Sequence, residues 1–424
     1  MKKHYSFPAI LLIVISLASC QQKKVNTFTE SDPSAVNISA ERLARIDNVI
    51  KQYIDSGWIE GAVGFIARDG KIVYDKAFGK GSVNSERALA TDDIFRIASQ
   101  TKAITSVAVM TLFEQGKFLL DDPVSKYIPE FAHPVVLDKF NEKDTTFTSV
   151  PAKRGITIRD LLTHTSGIEY AGIGSPTMRA IYAKYDIPGG FGAAGVRIGD
   201  KMKALGKLPL LHNPGEKFTY GLNVDVLGYL VEVWSGETLD QYFHNHIFSP
   251  LGMNDTYFYM PAEKADRLVK VITEDGNRKL VDAPDEFSNY PLLSGGTYYS
   301  GGAGLSSTVR DYGIFLQMML NGGEYNGARI LAPRTVELMT SNQIGDLFVG
   351  KDKFGLGFEI TTEAGQTQLG ISKGSFSWGG YFGTTYWADP EKKIVGLLFI
   401  NQSPLRHGDI QGKFKAMVYQ AILE

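Results

Sequence analysis

The sequence predicts a mixed α/β (α+β) protein: an antiparallel β-sheet flanked by N-terminal and C-terminal helices, with a mostly helical domain inserted between the two halves of the sheet. Three observations predict it. An early hairpin signal lies at Asp69-Gly70, a pair suited to the positive φ angles of a tight turn, between the apolar runs Ala62 to Ala67 and Lys71 to Phe78. Helical periodicity then dominates from about 120 to 290, broken by long Pro- and Gly-containing connections. Strand-like runs return only near the C-terminus, before one last helix.

Taken in order, Lys2 and Lys3 precede the apolar run Ala9 to Leu17, which is too short to span a bilayer and suits the core of an export signal. The run ends in Leu17-Ala18-Ser19-Cys20, which resembles a bacterial lipobox. Residues 1–20 therefore read as a lipoprotein signal peptide with Cys20 as the lipid anchor, and polar residues 21–36, with Pro33, as a flexible tether. Cys20 is the only cysteine, so the mature chain has no intramolecular disulfide and relies on packing. The expectation is an exported protein, lipid-anchored to a bacterial membrane and facing the periplasm or the cell surface.

Residues 37–424 read as the catalytic region, with the sheet part at about 37–95 and 290–424 and the helical part at about 96–289. Ser39 is placed to cap a helix in which Leu43, Ile46, Ile50, Tyr53 and Ile54 recur at helical spacing. From Ser99 to Gln115 the residues are helix-tolerant and apolar on most faces, which predicts a buried helix ended by Gly116. Further helices are predicted at Ile158 to Thr163, Val224 to Trp234 and Thr308 to Leu320. The stretch Gly172 to Asn213 has weak periodicity and reads as a long loop or a lid. Strands are predicted at Gly355 to Thr362, Ser375 to Trp387 and Lys393 to Asn401, with a closing helix near Asp409 to Leu423.

The 424 residues are 43% apolar and 21% charged, as in ordinary globular proteins. A net charge of -2 and a pI near 6.4 give no electrostatic reason for nucleic acid or an anionic membrane surface as partner. Membrane contact is expected only through the anchor at Cys20.

Ser99-Gln100-Thr101-Lys102 sets a hydroxyl and an amine three residues apart at a helix start, so both point to one face. A serine is a weak nucleophile at neutral pH. A neighbouring lysine whose ammonium is disfavoured by burial can accept or orient its proton, and the helix dipole favours developing negative charge. Tyr220 ends the run Pro214-Gly215-Glu216-Lys217-Phe218-Thr219, where a turn and a short extended run precede a helix. A phenol beside an ammonium can serve as general base toward Ser99 and then as acid toward a leaving group.

Three other patterns compete. Gly370-Ile371-Ser372-Lys373-Gly374 has the nucleophile-elbow spacing, and Asp389 and His407 follow in the order of α/β-hydrolase triads. An elbow needs a helix straight after the serine, whereas Phe376 to Trp387 reads as strand. Gly190-Phe191-Gly192-Ala193-Ala194-Gly195 has dinucleotide-loop spacing, but Pro188 stands where a buried strand should be. His244 and His246 have no carboxylate or thiol cluster to complete a metal shell, so neither metal nor cofactor is expected.

At Phe95-Arg96-Ile97-Ala98-Ser99-Gln100-Thr101-Lys102, Leu161-Leu162-Thr163-His164-Thr165-Ser166-Gly167, Pro250-Leu251-Gly252-Met253 with Asp255-Thr256, and Gly302-Ala303-Gly304-Leu305-Ser306-Ser307-Thr308, the sequence resembles the class C β-lactamase-like serine hydrolases. These belong to the penicillin-recognising superfamily, with DD-peptidases and family VIII carboxylesterases. The resemblance implies a β-lactamase/transpeptidase-like fold with its site between the sheet and helical parts. It also implies Ser99 as nucleophile, Lys102 as its lysine and Tyr220 as the second-motif tyrosine. That motif usually reads Tyr-x-Asn; here Leu222 takes the third place and Asn223 follows, and Asp225-Val226-Leu227-Gly228 resembles the esterase-type block. Asn223 is carried as a substrate-binding position. His164, Asp225 and the Gly301 to Ser307 block read as structural.

The third motif, Lys-Thr-Gly in β-lactamases, aligns with Trp378-Gly379-Gly380, which are expected to line the substrate site. The backbone N–H groups of Ser99 and Tyr381 would form the oxyanion hole. Trp378 and Gly379 lack the cation and hydroxyl that greet a substrate carboxylate, a loss of about 1.5 to 3 kcal/mol per charge-assisted hydrogen bond. An indole face favours apolar groups. The expected activity is therefore carboxylesterase on small esters by way of an acyl-enzyme. The alternatives are a β-lactamase, DD-peptidase or D-amino-acid amidase on the same site, or a catalytically idle binding or sensor protein. The expected partner is a small ester or amide substrate.

Overall fold

The computed structural model describes Met1, residues 27–191 and residues 195–424. The signal segment with Cys20, and Gly192 to Ala194, lie outside the described residues. The main sheet has eight strands: β1 (Thr29–Glu30), β2 (Gly61–Arg68), β3 (Lys71–Gly79), β4 (Lys353–Phe354), β5 (Glu359–Ile360), β6 (Phe376–Gly379), β7 (Thr385–Asp389) and β8 (Ile394–Phe399). Their order is β1-β3-β2-β8-β7-β6-β5-β4. Every pair is antiparallel except β1 with β3. The predicted hairpin is β2–β3, with Asp69 and Gly70 both at positive φ. Pairing of β2 with β8 joins the two distant halves of the chain at the centre of the sheet.

The main helices are α1 (Ala40–Asp55), α2 (Thr101–Glu114), α3 (Ile158–Leu162), α4 (Pro176–Lys184), α5 (Ile198–Leu205), α6 (Asn223–Ser235), α7 (Val309–Leu320) and α8 (Asp409–Gln420). Strand alternation explains the layering. Ala62 and Ile66 of β2 face α1 and α8, packing with Leu43, Ile46, Ile50 and Phe414. Val63, Phe65 and Ala67 face the larger core that contains α2, α6 and α7. The Ser39 hydroxyl accepts from Arg42 N and caps α1 as expected. α2 is buried at every position from Thr101 to Met110, and Gly116 follows it at φ 72°. A mixed sheet-and-helix fold of the expected kind is thus present, with α2 between the sheet and the helical part.

Four local expectations change. Residues 27–36, assigned to the tether, belong to the fold: Phe28 packs on Phe65 at 5.3 Å, β1 pairs with β3, and Asp32 caps a short helix at Pro33–Val36. One buried aromatic ring and a strand pairing outweigh a polar composition. The stretch Gly172 to Asn213 is neither plain loop nor detached lid, because it holds α4 and α5, and Met178, Ile181, Tyr182, Met202 and Leu205 are buried in the main core. The run Ser375 to Trp387 is two strands, β6 and β7, joined by a turn with Gly383 at φ 85°. Finally, the helical region carries an unexpected hairpin, Val135–Asn141 with Thr146–Pro151. Its residues are half-buried or exposed, so apolar alternation left no clear signal.

Candidate active site

The nucleophile candidate is presented by a constrained turn. Phe95–Arg96 pairs with Ser306–Ser307, and Asn401 clamps Arg96 through both backbone groups, at 3.0 and 3.2 Å. Ala98 then sits fully buried at φ 43°, a left-handed conformation that costs a non-glycine residue about 1–2 kcal/mol. Packing holds it there: Ile97 N donates to Leu305 O at 3.1 Å, and Gly380 lies so close that a Cβ on it would be 2.5 Å from Ile97 O. One 3₁₀ turn, Ala98–Gln100, leads into α2, leaving Ser99 half-buried at the helix start.

Lys102, one turn on, is 3% exposed. Its ammonium donates to Tyr170 Oη at 2.6 Å and Gly302 O at 2.7 Å, and lies 3.4 Å from Ser99 Oγ. It also rests 4.6 Å from the centre of the Tyr220 ring. Gly302 must be glycine, since a Cβ there would stand 2.4 Å from Asp225 Oδ2.

Tyr170 is buried, and its hydroxyl is pushed well above the usual phenol range by burial, by Tyr220 and by Asp225. Its ring lies 5.2 Å from that of Tyr220, centre to centre. Trp378 Nε1 donates to Tyr220 Oη at 3.2 Å. Lys102, Tyr170, Tyr220 and Trp378 thus form one cluster beside Ser99, with Lys102 bonded to Tyr170 and Trp378 to Tyr220.

The chain loops that deliver these groups are tied together. Thr219 N donates to His164 O at 2.7 Å, and Leu222 N to Glu169 O at 3.3 Å, so the segments carrying Tyr170 and Tyr220 run side by side. Trp378 lies on β6, whose end Gly379-Gly380 turns the chain beside Ile97, bringing Tyr381 to the mouth next to Ser99. Tyr381 is 44% exposed and lines the same cavity as Ser99.

A family model described as Beta-lactamase matches residues 46–417. The chain belongs to the Beta-lactamase family. By that membership it is a serine hydrolase. It is 33% identical over 374 residues to protein Rv1367c of Mycobacterium tuberculosis, a match covering 84% of this chain and 89% of the relative. It is 30% identical over 403 residues to esterase EstB of Burkholderia gladioli, covering 88% and 94%. Among solved structures, EstCE1, described as a hydrolase with promiscuous acyltransferase activity, superposes with a TM-score of 0.76 at 27% identity, covering 89% of this chain and 99% of that one.

Within this Beta-lactamase fold, Ser99, Lys102, Tyr220 and Trp378 lie in one cluster, with Gly379 ending β6 and Gly380 following it. Asn223 does not join it. It is fully buried, its amide carbonyl accepts from Ser166 Oγ, and its Nδ2 meets His164 Nδ1 at 3.0 Å. It ties the His164 block to α6 and offers nothing to a substrate, which corrects its assignment as a binding residue. His164 packs on Tyr220 at 4.9 Å between ring centres and is held well below the usual imidazole pKa by burial and by Lys102. Asp225 accepts from Ser300 Oγ at 2.6 Å; burial pushes its carboxyl up, opposed by that hydrogen bond and by Lys102. Both act as structural supports of the site.

Tyr170 escaped the sequence reading. One tyrosine among 20 gives no signal by itself, and only its place three residues after the Leu161 to Gly167 block could have pointed to it.

The competing patterns do not assemble. Ser372 is 3% exposed and its backbone N donates to Asp389 Oδ2 at 3.3 Å, while Asp389 also accepts from Tyr419 Oη at 2.7 Å. His407 instead stacks on Trp58 at 4.2 Å between ring centres. His246 pairs with Glu237 at 2.8 Å and stacks on Tyr242. Within the Gly190 to Gly195 run, Phe191 packs against Tyr290 and Phe382, each at 5.5 Å.

Proposed function

We propose that this chain is an exported carboxylesterase that forms its acyl-enzyme on Ser99. The observation that carries the reading is the joint placement of a half-buried Ser99, a Lys102 ammonium that meets Ser99, Tyr170 and the Tyr220 ring, and an indole at Trp378 where a carboxylate-binding cation would stand. With Tyr220 starting as phenolate, the Ser99 hydroxyl gives its proton to the Tyr220 oxygen as Oγ bonds to the ester carbonyl carbon and the carbonyl π pair moves onto its oxygen. The oxyanion is met by the backbone N–H groups of Ser99 and Tyr381. The carbon–oxygen bond to the alcohol then breaks, and Tyr220 returns the proton to the departing oxygen. Water attacks the acyl-enzyme with Tyr220 again taking a proton, and the acid leaves as Ser99 is reprotonated. Lys102, held by Gly302 O and Tyr170 and lying over the Tyr220 ring, places a cation beside the phenolate oxygen and favours that form. The esterase named among the relatives supports this choice of substrate over β-lactams.

Purified protein assayed with nitrophenyl butyrate and with nitrocefin tests the choice. Faster turnover of the ester is expected; faster turnover of the β-lactam would overturn it. We also propose that the chain is held to a bacterial membrane by lipid on Cys20. Cys20→Ser should move the protein from the membrane to the soluble fraction, and unchanged fractionation would refute the anchor.

A further inference from the structure

Beside Ser99 a cavity of about 280 Å³ opens, walled by Ala98, Ser99, Tyr170, Ile173, Phe191 and Tyr381 and by glycine backbone at Gly172 and Gly189. The Tyr220 hydroxyl and the Trp378 indole, bonded to each other, stand outside this wall. Among the described residues, the cavity lining carries no charged side chain and includes neither Tyr220 nor Trp378.

We infer that this cavity is the acyl pocket, that it takes an uncharged acyl chain of medium length, and that Phe191 and Ile173 set that length. The inference rests on the reading of Ser99 as nucleophile and Tyr220 as proton carrier. The departing oxygen must meet the Tyr220 hydroxyl, so the alcohol lies on the Tyr220 and Trp378 side. The carbonyl oxygen points to the N–H groups of Ser99 and Tyr381. With both of those directions filled, the acyl substituent faces the apolar cavity. A carboxylate there would lose its water with no cation to replace it, which excludes diacid chains. At about 30 Å³ for each water-sized group, 280 Å³ holds about nine such groups, so an acyl chain of up to about eight carbons fits along with its carbonyl.

The wall is fixed rather than floating. Phe191 is wedged among Tyr290, Phe382 and Tyr381 at 5.5, 5.5 and 5.9 Å. Ile173 precedes α4, whose Met178, Ile181 and Tyr182 are buried in the main core. A fixed wall gives a chain-length cut-off in place of a gradual decline. Ile173, 56% exposed, forms the rim, so the outermost carbons meet it first.

The test is kcat/KM across nitrophenyl esters of increasing acyl length, beside a second series with butyrate fixed and the alcohol varied, in wild type and two variants. Wild type should peak at or below about eight carbons. Phe191→Ala should move the peak longer by about two carbons or more and leave the alcohol series unchanged. Gly172→Val, where a Cβ would meet nothing closer than 4.0 Å, should move it shorter, and it decides the matter if Phe191→Ala does not fold. Unmoved acyl profiles, or movement in the alcohol series instead, would overturn the inference. Ser99→Ala run alongside separates the two readings: retained turnover there overturns the esterase site itself.

Discussion

Two motif serines in this chain, Ser99 and Ser372, each have a lysine nearby in sequence and differ in their surroundings. Ser99 stands over a cavity, with Lys102 buried and bonded to Tyr170 and Gly302 O. Ser372 is buried on a backbone tied to Asp389, and its neighbour Lys373 is exposed, pairing with Glu363 at 2.8 Å. An exposed pair of this kind contributes at most about 1 kcal/mol and shifts no chemistry. The lesson is that a motif serine counts when its lysine is removed from water and handed polar partners, and when open space lies before the hydroxyl. Spacing along the chain supplies neither condition.

The contrast can be broken most severely at Ser99. Ser99→Ala should lower ester kcat/KM by at least about 10³-fold, measured with nitrophenyl butyrate, because no second nucleophile is at hand. Lys102→Met should follow with a loss of about 10³-fold, since it removes the charge that orders both tyrosines. Tyr170→Phe sharpens the comparison. It deletes one hydrogen bond to a charged group, worth about 1.5 to 3 kcal/mol, and should cut kcat by about 10- to 100-fold with KM little changed and the pH–rate profile displaced. A loss confined to thermal stability would instead mark Tyr170 as packing alone. Trp378→Phe removes a neutral donor to Tyr220 and should cost about tenfold or less. Ser372→Ala should change turnover by less than about twofold, in line with an ordinary interior site away from the chemistry.

Much of this was legible beforehand, for identifiable reasons. The β2–β3 hairpin was announced by Asp69-Gly70, α1 by its Ser39 cap and periodic apolar residues, and α2 by its all-round apolarity and Gly116. These are local signals, carried within a few residues. What escaped depended on distant partners. Phe28 enters the fold only because Phe65 is there to receive it, α4 is built into the core by contacts the Gly-rich flanks hide, and the hairpin at Val135–Asn141 sets only Val136, Leu137, Phe140 and Phe147 partly against the core, without strict alternation. At the site, Ser99, Lys102 and Tyr220 stood in motifs, whereas Tyr170 acquires its place from burial beside Lys102 and Tyr220. Asn223 was misread because a motif shifted by one residue turned its amide inward, toward His164 and Ser166.

The central claim is that the nucleophile is the hydroxyl at the start of α2. Peptide mapping of protein labelled with a fluorophosphonate tests it most directly. The adduct should lie on Ser99 and disappear in Ser99→Ala; an adduct on Ser372, or none on the active wild type, would contradict it.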